Sequence, residues 1–244
     1  MTDGGAETRL SAASWPWMLV ISLLAGSAIL LHSPLLSVKS IEVLGVVQSR
    51  AASKVAASGI GEGAILLWVD TDLVARAVAT DPWVAAVRVD REWPDRLIVE
   101  VIEREPVAWI QGRVGWMRVA SDGVVIDTAQ RPTPQLVQLA VAAVDRVPGA
   151  VTDDEAWLDL VAMARVLTNG IGPGIRIEAV GPELWGRLPG HEVRFGHPID
   201  LEDKARALVA LLAEGIPVGS RIDVTSPSRP AVIPSAIHEG EVEG

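Results

Sequence analysis

The sequence predicts an α+β protein in which a single apolar helix precedes two domains that combine strands and helices. Three observations lead to this prediction. The residues from Leu10 to Val38 carry no formally charged side chain, the chain after them alternates between strand-like and helix-like spacing of apolar residues, and the 244 residues include no cysteine. A chain of this length accommodates one or two modest domains. The lack of cysteine excludes disulfides, thiolate metal sites and cysteine nucleophiles.

The chain is strongly acidic, with 31 acidic and 21 basic residues and a formal net charge of −10. The charges that precede residue 40, on Asp3, Glu7, Arg9 and Lys39, cancel one another, so the excess negative charge belongs to the rest of the chain. Nucleic-acid binding rests largely on Lys and Arg side chains that neutralise phosphates. We therefore do not expect a nucleic acid among the partners.

The apolar segment from Trp15 to Leu36 is predicted to be a transmembrane helix. A bilayer core of about 30 Å needs about 20 mostly apolar residues in helical form, and this segment is long enough. Trp15 and Trp17 stand at its start, and tryptophan favours the membrane interface. Residues 1–14 are then a short tail, and residues 15–36 are an uncleaved signal anchor.

The apolar segment has two alternative interpretations. A buried soluble helix is disfavoured because a charge-free segment of this length normally has a polar face. A cleaved signal peptide is suggested by the small residues from Ala25 to Ala28, but the apolar core continues through Ile29 to Leu31. Arg9 and Lys39 flank the two ends, so the positive-inside bias alone does not set the orientation.

The next segment is predicted to form a small domain with the element order β-α-α-β-β. Its strands show alternating apolar residues, and its helices end at glycine or before proline. Asp70-Thr71 supplies an N-cap for the second helix, and Trp93-Pro94-Asp95 supplies the turn between the last two strands. The predicted elements are Val38–Gly45, Ser49–Ser58, the helix after Asp70, Val84–Arg91 and Arg96–Arg104.

The order and spacing of short motifs in this segment resemble a POTRA domain. The motifs are Asp81-Pro82-Trp83-Val84, Val87-Arg88-Val89, Trp93-Pro94-Asp95-Arg96-Leu97 and the run from Val99 to Arg104. The continuation from Glu103 to Ala108 resembles the FtsQ/DivIB version of that domain. The resemblance places a POTRA domain at residues 37–106 and implies a bacterial cell division protein.

The remaining chain, residues 107–234, is predicted to be a mixed, strand-rich β domain with two helices. Ser121-Asp122-Gly123 indicates a hairpin turn, Thr152 to Glu155 opens the first helix, and Asp200 begins the second. Phe195-Gly196, Lys204 and Ile222 to Val224 resemble the closing part of the same family's β domain. The acidic residues 235–244 are predicted to be disordered. The predicted strands are Val107–Gln111, Trp116–Val119, Val124–Thr128, Ile175–Val180, Leu184–Leu188 and Glu192–Phe195.

The resemblance implies a non-enzymatic scaffold that links early and late division proteins at the septum. It also implies a single-pass plasma-membrane protein with a cytoplasmic N-terminus and external C-terminal domains. The implied partners are FtsB-type and FtsL-type coiled-coil proteins, together with FtsK-, FtsW- and FtsI-type proteins.

Two surfaces are implied to bind these partners. In the family the end of the β domain takes up a strand of the FtsB-type partner, because an exposed edge offers unpaired backbone groups. That edge corresponds here to Asp223–Ile233, in which Pro227 and Pro230 remove two backbone donors, and a solvated loop is the alternative. The implied partner-binding residues are Thr225, Ser226, Ser228, Arg229, Ala231, Val232 and Ile233, and the implied POTRA recruitment face is Val87, Arg88 and Val89.

Residue types that carry catalysis form no recognisable pattern. The four histidines, His32, His191, His197 and His238, show no ligand spacing. The glycines at 59–63 and 170–174 follow predicted helices and lack the G-x-G-x-x-G pattern, so we interpret them as helix-ending turns. The tryptophans beyond the apolar segment are expected to pack rather than to bind sugars. We expect no catalytic residue, no cofactor and no metal, with a cell-wall hydrolase or a POTRA module of an export or assembly system as alternatives.

Overall fold

The computed structural model describes residues 15–31, 36–141 and 145–234. The predicted tails, residues 1–14 and 235–244, lie outside the described residues. The fold is α+β, as predicted, and the chain divides into two compact units. The first contains the described residues up to Val46, Arg50–Ala79 and Ala86–Val101, and the second contains Val47–Ser49, Thr80–Ala85 and the chain from Ile102 onward.

The apolar N-terminal segment forms helix α1, Trp15–Leu31. Its large apolar side chains from Trp17 to Leu24 are exposed, with 69% exposure at Trp17 and 65% at Leu24. None of the helices that the structure describes is both long and apolar enough to cross a membrane. The predicted span, residues 15–36, includes residues 32–35, which lie outside the described residues.

The following segment forms the predicted β-α-α-β-β order around a three-stranded sheet. The sheet order is β1-β3-β2, with β1 parallel to β3. Asp70 caps α3 as predicted, because its Oδ1 accepts a hydrogen bond of 2.9 Å from the Leu73 amide. The run at residues 65–69 forms only a single 3-10 turn. The elements are β1 Ser40–Leu44, α2 Ala51–Ala57, the 3-10 turn Leu66–Trp68, α3 Thr71–Ala79, β2 Val84–Glu92 and β3 Arg96–Glu103.

The core of this segment comes from the alternation that the sequence predicted. Leu97 and Val99 on β3 are fully buried, and so are Val74 and Val78 on α3. Burial of one such side chain contributes about 1.5–3 kcal/mol. Gly45 ends β1 at a positive φ of 77°, and a Cβ there would lie 2.1 Å from the Val101 carbonyl oxygen, so only glycine fits.

The second unit is built on a nine-stranded mixed sheet with the order β12-β11-β10-β9-β8-β7-β4-β5-β6. Its helices are α4, Glu155–Gly170, and α5, Leu201–Ala213. The strands are β4 Pro106–Gln111, β5 Trp116–Ala120, β6 Val125–Ala129, β7 Val137–Ala140, β8 Arg176–Val180, β9 Glu183–Leu188, β10 His191–Gly196, β11 Arg221–Asp223 and β12 Ala231–Ile233.

Two helical crossovers shape this sheet. Strands β7 and β8 are parallel and are joined through α4, and strands β10 and β11 are parallel and are joined through α5. Parallel neighbours require such a long connection, because a tight turn can only reverse the chain. The crossovers leave β12 and β6 as the two outer strands of the sheet.

A continuous apolar row crosses the sheet on the face that α4 and α5 cover. Ile110, Leu139 and Ile177 stand beside one another in register on β4, β7 and β8. The row continues through Gly186 and Val193 on β9 and β10. Apart from Gly186, these residues belong to one buried cluster with side chains of both helices, including Trp157, Leu167 and Leu208.

Candidate partner-binding edge

Strand β12 is the outermost strand at one end of the nine-stranded sheet. Among the residues that the structure describes, it pairs with β11 alone, in an antiparallel register that sets Arg221 opposite Ile233, Ile222 opposite Val232 and Asp223 opposite Ala231. An outer strand of this kind presents unpaired backbone N–H and C=O groups along its free side.

The pairing of β11 determines which groups of β12 face outward. The Val224 amide donates a hydrogen bond of 2.9 Å to the Arg194 carbonyl oxygen on β10. Backbone groups alternate in direction along a strand, so those of Ile222 also point to β10, and those of Asp223 point to β12. The groups of Ala231 and Ile233 are therefore engaged with β11. Val232 carries the outward-facing N–H and C=O of the edge.

The predicted edge from Asp223 to Ile233 is interrupted in the structure. Asp223 ends β11, and only Ala231, Val232 and Ile233 of the seven implied partner-binding residues lie on a strand. The other four, Thr225, Ser226, Ser228 and Arg229, lie in the connecting turn. Within that turn the Thr225 amide donates to Asp223 Oδ1 at 2.9 Å, and the Arg229 amide donates to the Ser226 carbonyl oxygen at 3.1 Å.

The positions of the two prolines in the predicted edge have a structural explanation. Pro227 and Pro230 both fall in the connecting turn, where a missing backbone N–H removes no ladder hydrogen bond. Strand β12 itself contains no proline, so the edge is short but keeps each of its backbone donors.

The face of the sheet that carries Ala231 and Ile233 is charged. Arg194 on β10 binds two carboxylates, with Nε 2.9 Å from Glu183 Oε2 and Nη1 3.4 Å from Asp223 Oδ2. Arg221 Nε donates to Glu192 Oε2 at 2.9 Å. These cross-strand pairs tie β9, β10 and β11 together next to the edge.

The ion pairs keep these groups charged. The hydrogen bond from Arg194 lowers the pKa of Glu183 below its ordinary value. Burial raises the pKa of Asp223, but hydrogen bonds from Thr225 and the charge of Arg194 outweigh burial and lower it. The same interactions, with Glu183 first, raise the pKa of Arg194.

Trp185 adds an aromatic surface to this charged face. The guanidinium carbons of Arg194 and Arg221 lie 5.9 Å and 6.0 Å from the centre of its ring, which is within the range of cation–π contacts. A strand that pairs with β12 would therefore turn alternate side chains toward two different surfaces. One surface is charged and carries Trp185, and the other is apolar and continues from Ile222 through Val232.

The turn that precedes β12 lies close to the end of β10. A Cβ on Gly196, the last residue of β10, would lie 2.9 Å from the Thr225 side chain, so the end of β10 and the turn approach closely. The buried Lys204 donates from Nζ to the His197 carbonyl oxygen at 2.8 Å. Burial lowers the pKa of Lys204, while the charges of Asp200 and Asp223 oppose this shift.

The recruitment face implied for the first domain lies on another outer strand. Val87, Arg88 and Val89 belong to β2, which forms one edge of the three-stranded sheet. Arg88 is exposed and pairs with Asp90, with Nε 2.6 Å from Oδ2, and the two valines are half-buried. The role of this face stays a prediction.

Sequence reasoning missed several residues that shape the partner edge. Arg194, Trp185 and Arg221 were not singled out, although polar residues that alternate with apolar ones on β9 and β10 are the signal that could have found them. Among the described residues no group of three His, Asp or Glu is close enough to hold a metal ion. The glycines at 59–63 and 170–174 follow or end α2 and α4, which confirms them as helix-ending turns.

Comparison with known proteins gives a consistent result. The family model described as the FtsQ-type POTRA domain matches residues 36–104. The chain is similar to the cell division protein FtsQ of Mycolicibacterium smegmatis, with 32% identity over 88% of this chain and 63% of that protein. It is also similar to the cell division protein FtsQ of Streptomyces bingchenggensis, with 29% identity over 87% of this chain and 83% of that protein.

A third relative is the cell division protein FtsQ of Corynebacterium glutamicum, which is 27% identical over 80% of this chain and 86% of that protein. The chain spans just under two thirds of the Mycolicibacterium smegmatis and Mycobacteroides abscessus proteins, at 63% and 64% of their lengths.

Proposed function

Because the chain belongs to the FtsQ/DivIB family of bacterial cell division proteins, we propose that it is a non-enzymatic scaffold of the division machinery. It links early and late division proteins at the septum through two external domains. The names of its relatives support a role in division, and its exposed sheet edges supply surfaces suited to protein partners.

We further propose that residues 15–36 anchor the protein in the cell membrane. The charge-free run from Leu10 to Val38 supports this anchor. So do the apolar side chains of α1, because large apolar residues such as Leu23, 73% exposed, are unfavourable in water and favourable in lipid. The proposed orientation, with a cytoplasmic N-terminus and external domains concentrated at the septum, follows from the family.

The partner proposed for β12 is an extended segment of an FtsB-type coiled-coil protein. The observation that carries this proposal is the outward direction of the Val232 N–H and C=O, on an edge to which no other described strand is paired. Strand addition draws its affinity from such main-chain hydrogen bonds and its specificity from alternate side chains. FtsL-type, FtsK-, FtsW- and FtsI-type proteins are proposed as further members of the assembly, and the edge of β2 at Val87 to Val89 is proposed to take part in recruitment.

The test is a binding titration of the full chain in detergent or nanodiscs with the external segment of an FtsB-type partner. Val232→Pro removes the outward-facing donor and leaves the hydrogen bonds between β11 and β12 intact. We expect it to weaken binding by about 1–3 kcal/mol, because it leaves a buried acceptor of the partner unpaired. Substitution of Ser226 or Ser228 by Ala should have little effect, since both lie in the turn.

Two control variants separate the edge from its support. Val232→Ala shortens the side chain but keeps the N–H, so it should bind more tightly than Val232→Pro. Ile233→Pro removes a donor that faces β11, so it should release β12 and abolish binding together with the hydrogen-exchange protection of the strand. Unchanged affinity in the Val232→Pro variant would place the partner site elsewhere, and the β2 edge would then be the next candidate.

A further inference from the structure

Two loops beside the start of the first domain each expose a tryptophan. Trp68 is 67% exposed and Trp93 is 53% exposed. Both lie outside strand interiors, one at the end of the 3-10 turn and one between β2 and β3. The expectation that the tryptophans beyond the apolar segment pack is therefore wrong for these two, and their exposure needs another explanation.

The loop that carries Trp68 is bound to the residues that follow the apolar segment. Ser37 forms a β-bridge with Ile65. The Val38 amide donates to the Ala64 carbonyl oxygen at 2.8 Å, and the Gly63 amide donates to the Val38 carbonyl oxygen at 2.8 Å. Trp68 comes three residues after Ile65, and its amide donates to the Ile65 carbonyl oxygen at 2.9 Å.

The loop that carries Trp93 is bound to the same segment. The Lys39 amide donates to the Asp95 carbonyl oxygen at 2.8 Å, and Lys39 Nζ lies 2.7 Å from Asp95 Oδ2. Arg91 connects the two loops, because its guanidinium donates to the carbonyl oxygens of Leu66 at 3.1 Å and Val69 at 2.6 Å. Arg91 thus holds the carbonyl groups of Leu66 and Val69, which stand on either side of Trp68 in the sequence. Trp93 lies two residues after Arg91.

The position of these loops follows from the chain itself. Val38 ends the charge-free run and stands two residues after Leu36, the end of the proposed membrane span. Two residues of extended chain cover at most about 7 Å. Residues 63–64, whose backbone groups bond to Val38, are therefore held close to the membrane surface, because Val38 is at most about 7 Å from the end of the proposed span.

We propose that Trp68 and Trp93 insert into the interfacial layer of the bilayer and hold the first domain against the lipid surface from which the chain emerges. This inference rests on the membrane anchor of the proposed function. Tryptophan favours the interface because its ring is apolar while its N–H can reach the polar headgroup layer. Leu67, 36% exposed, follows the buried Leu66 and precedes the exposed Trp68, and it adds apolar surface to the same turn.

Electrostatic attraction is not the basis of this contact. The cations near the two loops already have partners, with Lys39 bound to Asp95 and Arg96 Nε 3.3 Å from Glu92 Oε2. The chain as a whole is acidic. The contact should therefore form on zwitterionic membranes as well as on anionic ones.

The experiment uses the full chain in nanodiscs whose lipids carry a nitroxide quencher near the headgroup. Because the chain contains no cysteine, one introduced cysteine can carry a fluorescent dye. Leu67→Cys reports on the proposed contact, and Leu44→Cys, 41% exposed in the same unit but at the end of β1 that is far from Lys39, is the control. We expect strong quenching at position 67 and much weaker quenching at position 44, in both zwitterionic and anionic lipid.

A pair of double variants then tests the tryptophans. Trp68→Ser with Trp93→Ser, made in the Leu67→Cys background, should reduce quenching to the level of the control position. Val114→Ser with Val147→Ser, which removes comparably exposed apolar side chains at 81% and 71% exposure, should leave quenching unchanged. Circular dichroism should show the same folded spectrum for each variant.

The outcomes separate this inference from the anchor on which it rests. Vesicle flotation in alkaline carbonate is measured first, and a chain that fails to float would overturn both the anchor and the lipid contact. A chain that floats but shows no quenching at position 67 would overturn the lipid contact alone. Quenching that appears only with anionic lipid, or that survives loss of both tryptophans, would also overturn it.

Discussion

The carboxylate of Glu103 offers the sharpest test of how a single side chain orders the backbone in this protein. Its oxygens accept hydrogen bonds from three successive amides, at 3.0 Å from Val47, 2.9 Å from Gln48 and 2.6 Å from Ser49. These amides precede α2 in the sequence, and they have no strand or helix of their own to bond to. The change to test is Glu103→Gln, which keeps the size of the side chain and one acceptor oxygen but removes the charge.

The magnitude follows from the loss of charge assistance. Hydrogen bonds to a charged group contribute about 1.5–3 kcal/mol each when they are buried, and neutral ones about 0.5–1.5 kcal/mol. Glu103 is only half-buried and glutamine retains at least one of the bonds, so we expect a loss of about 1–2 kcal/mol in the free energy of unfolding.

The pH dependence of this loss has a definite sign. Burial raises the pKa of Glu103, but the backbone hydrogen bonds from Ser49, Val47 and Gln48 together outweigh it, and the pKa lies below the ordinary value. A lowered pKa in the folded state means that the stabilisation is complete above about pH 4.3, the ordinary glutamate pKa, and is lost as the pH falls through the folded value. The difference between the native protein and Glu103→Gln should therefore disappear in strong acid.

The assay is urea unfolding of the full chain in detergent, followed by tryptophan fluorescence at pH 7 and at a series of acidic pH values. Glu100→Gln on the same strand is the matched control, because Glu100 is exposed and should change stability little at any pH. Hydrogen exchange at the amides of residues 47–49 reports the local effect directly. A Glu103→Gln variant as stable as the native protein at pH 7, or a deficit that persists unchanged in acid, would refute the reasoning.

Two further substitutions test the packing of the second unit. Trp157→Phe removes the Nε1 donor that bonds to the Gly123 carbonyl oxygen at 2.8 Å. It should lower the free energy of unfolding by about 1–3 kcal/mol in urea titrations, because that buried acceptor is left unpaired. A loss of unfolding free energy smaller than the loss caused by a Trp→Phe change at an exposed position would contradict this. Gly186→Ala places a Cβ 2.8 Å from the Phe195 ring, so we expect a lower thermal midpoint and a cost of about 1–3 kcal/mol. Gly61→Ala, where a Cβ meets no atom within 4 Å, is its control, and equal midpoints for the two would show that β9 has room to spare.

Much of the fold could be predicted because its signals are local. The alternation of Leu97, Val99 and Val101 predicted β3 to within one residue of its end, and these side chains are buried as that pattern requires. The acidic start of α4 was also readable, and Asp154 Oδ1 accepts the Trp157 amide at 3.3 Å as its N-cap.

Other features depend on distant parts of the chain and were not predictable. Strand β7, Val137–Ala140, is short, and both strands that pair with it are parallel neighbours far away in sequence. Asp200 was expected simply to begin α5, but it adopts a left-handed φ of 54° and its side chain caps no amide. No pattern of residue types marks that conformation in advance, because the path of the chain between β10 and α5 imposes it.

The candidate site likewise has one feature that the sequence predicts and one that it does not. The location of an edge near the C-terminus could be inferred from the sequence, but the identity of its outward-facing residue could not. Val232 rather than Ala231 faces outward because Val224 bonds to Arg194 on β10, and that contact joins residues 30 positions apart. The exposure of Trp68 and Trp93 was missed for a similar reason, since the loops that carry them are positioned by Val38, Lys39 and Arg91.

The strand order of the second unit has a consequence for when the protein becomes competent. From β7 to β12 the strands lie side by side in chain order. Strands β4, β5 and β6 lie on the other side of β7. Each strand from β8 to β12 pairs with the strand before it, so β12 is completed only after β11 is in place. A chain that stopped before Ala231 would expose β11 as the outer strand instead, about 4.8 Å, one strand spacing, from the edge proposed to bind the partner. The proposed partner-binding edge is therefore complete only in a chain that extends through Ile233.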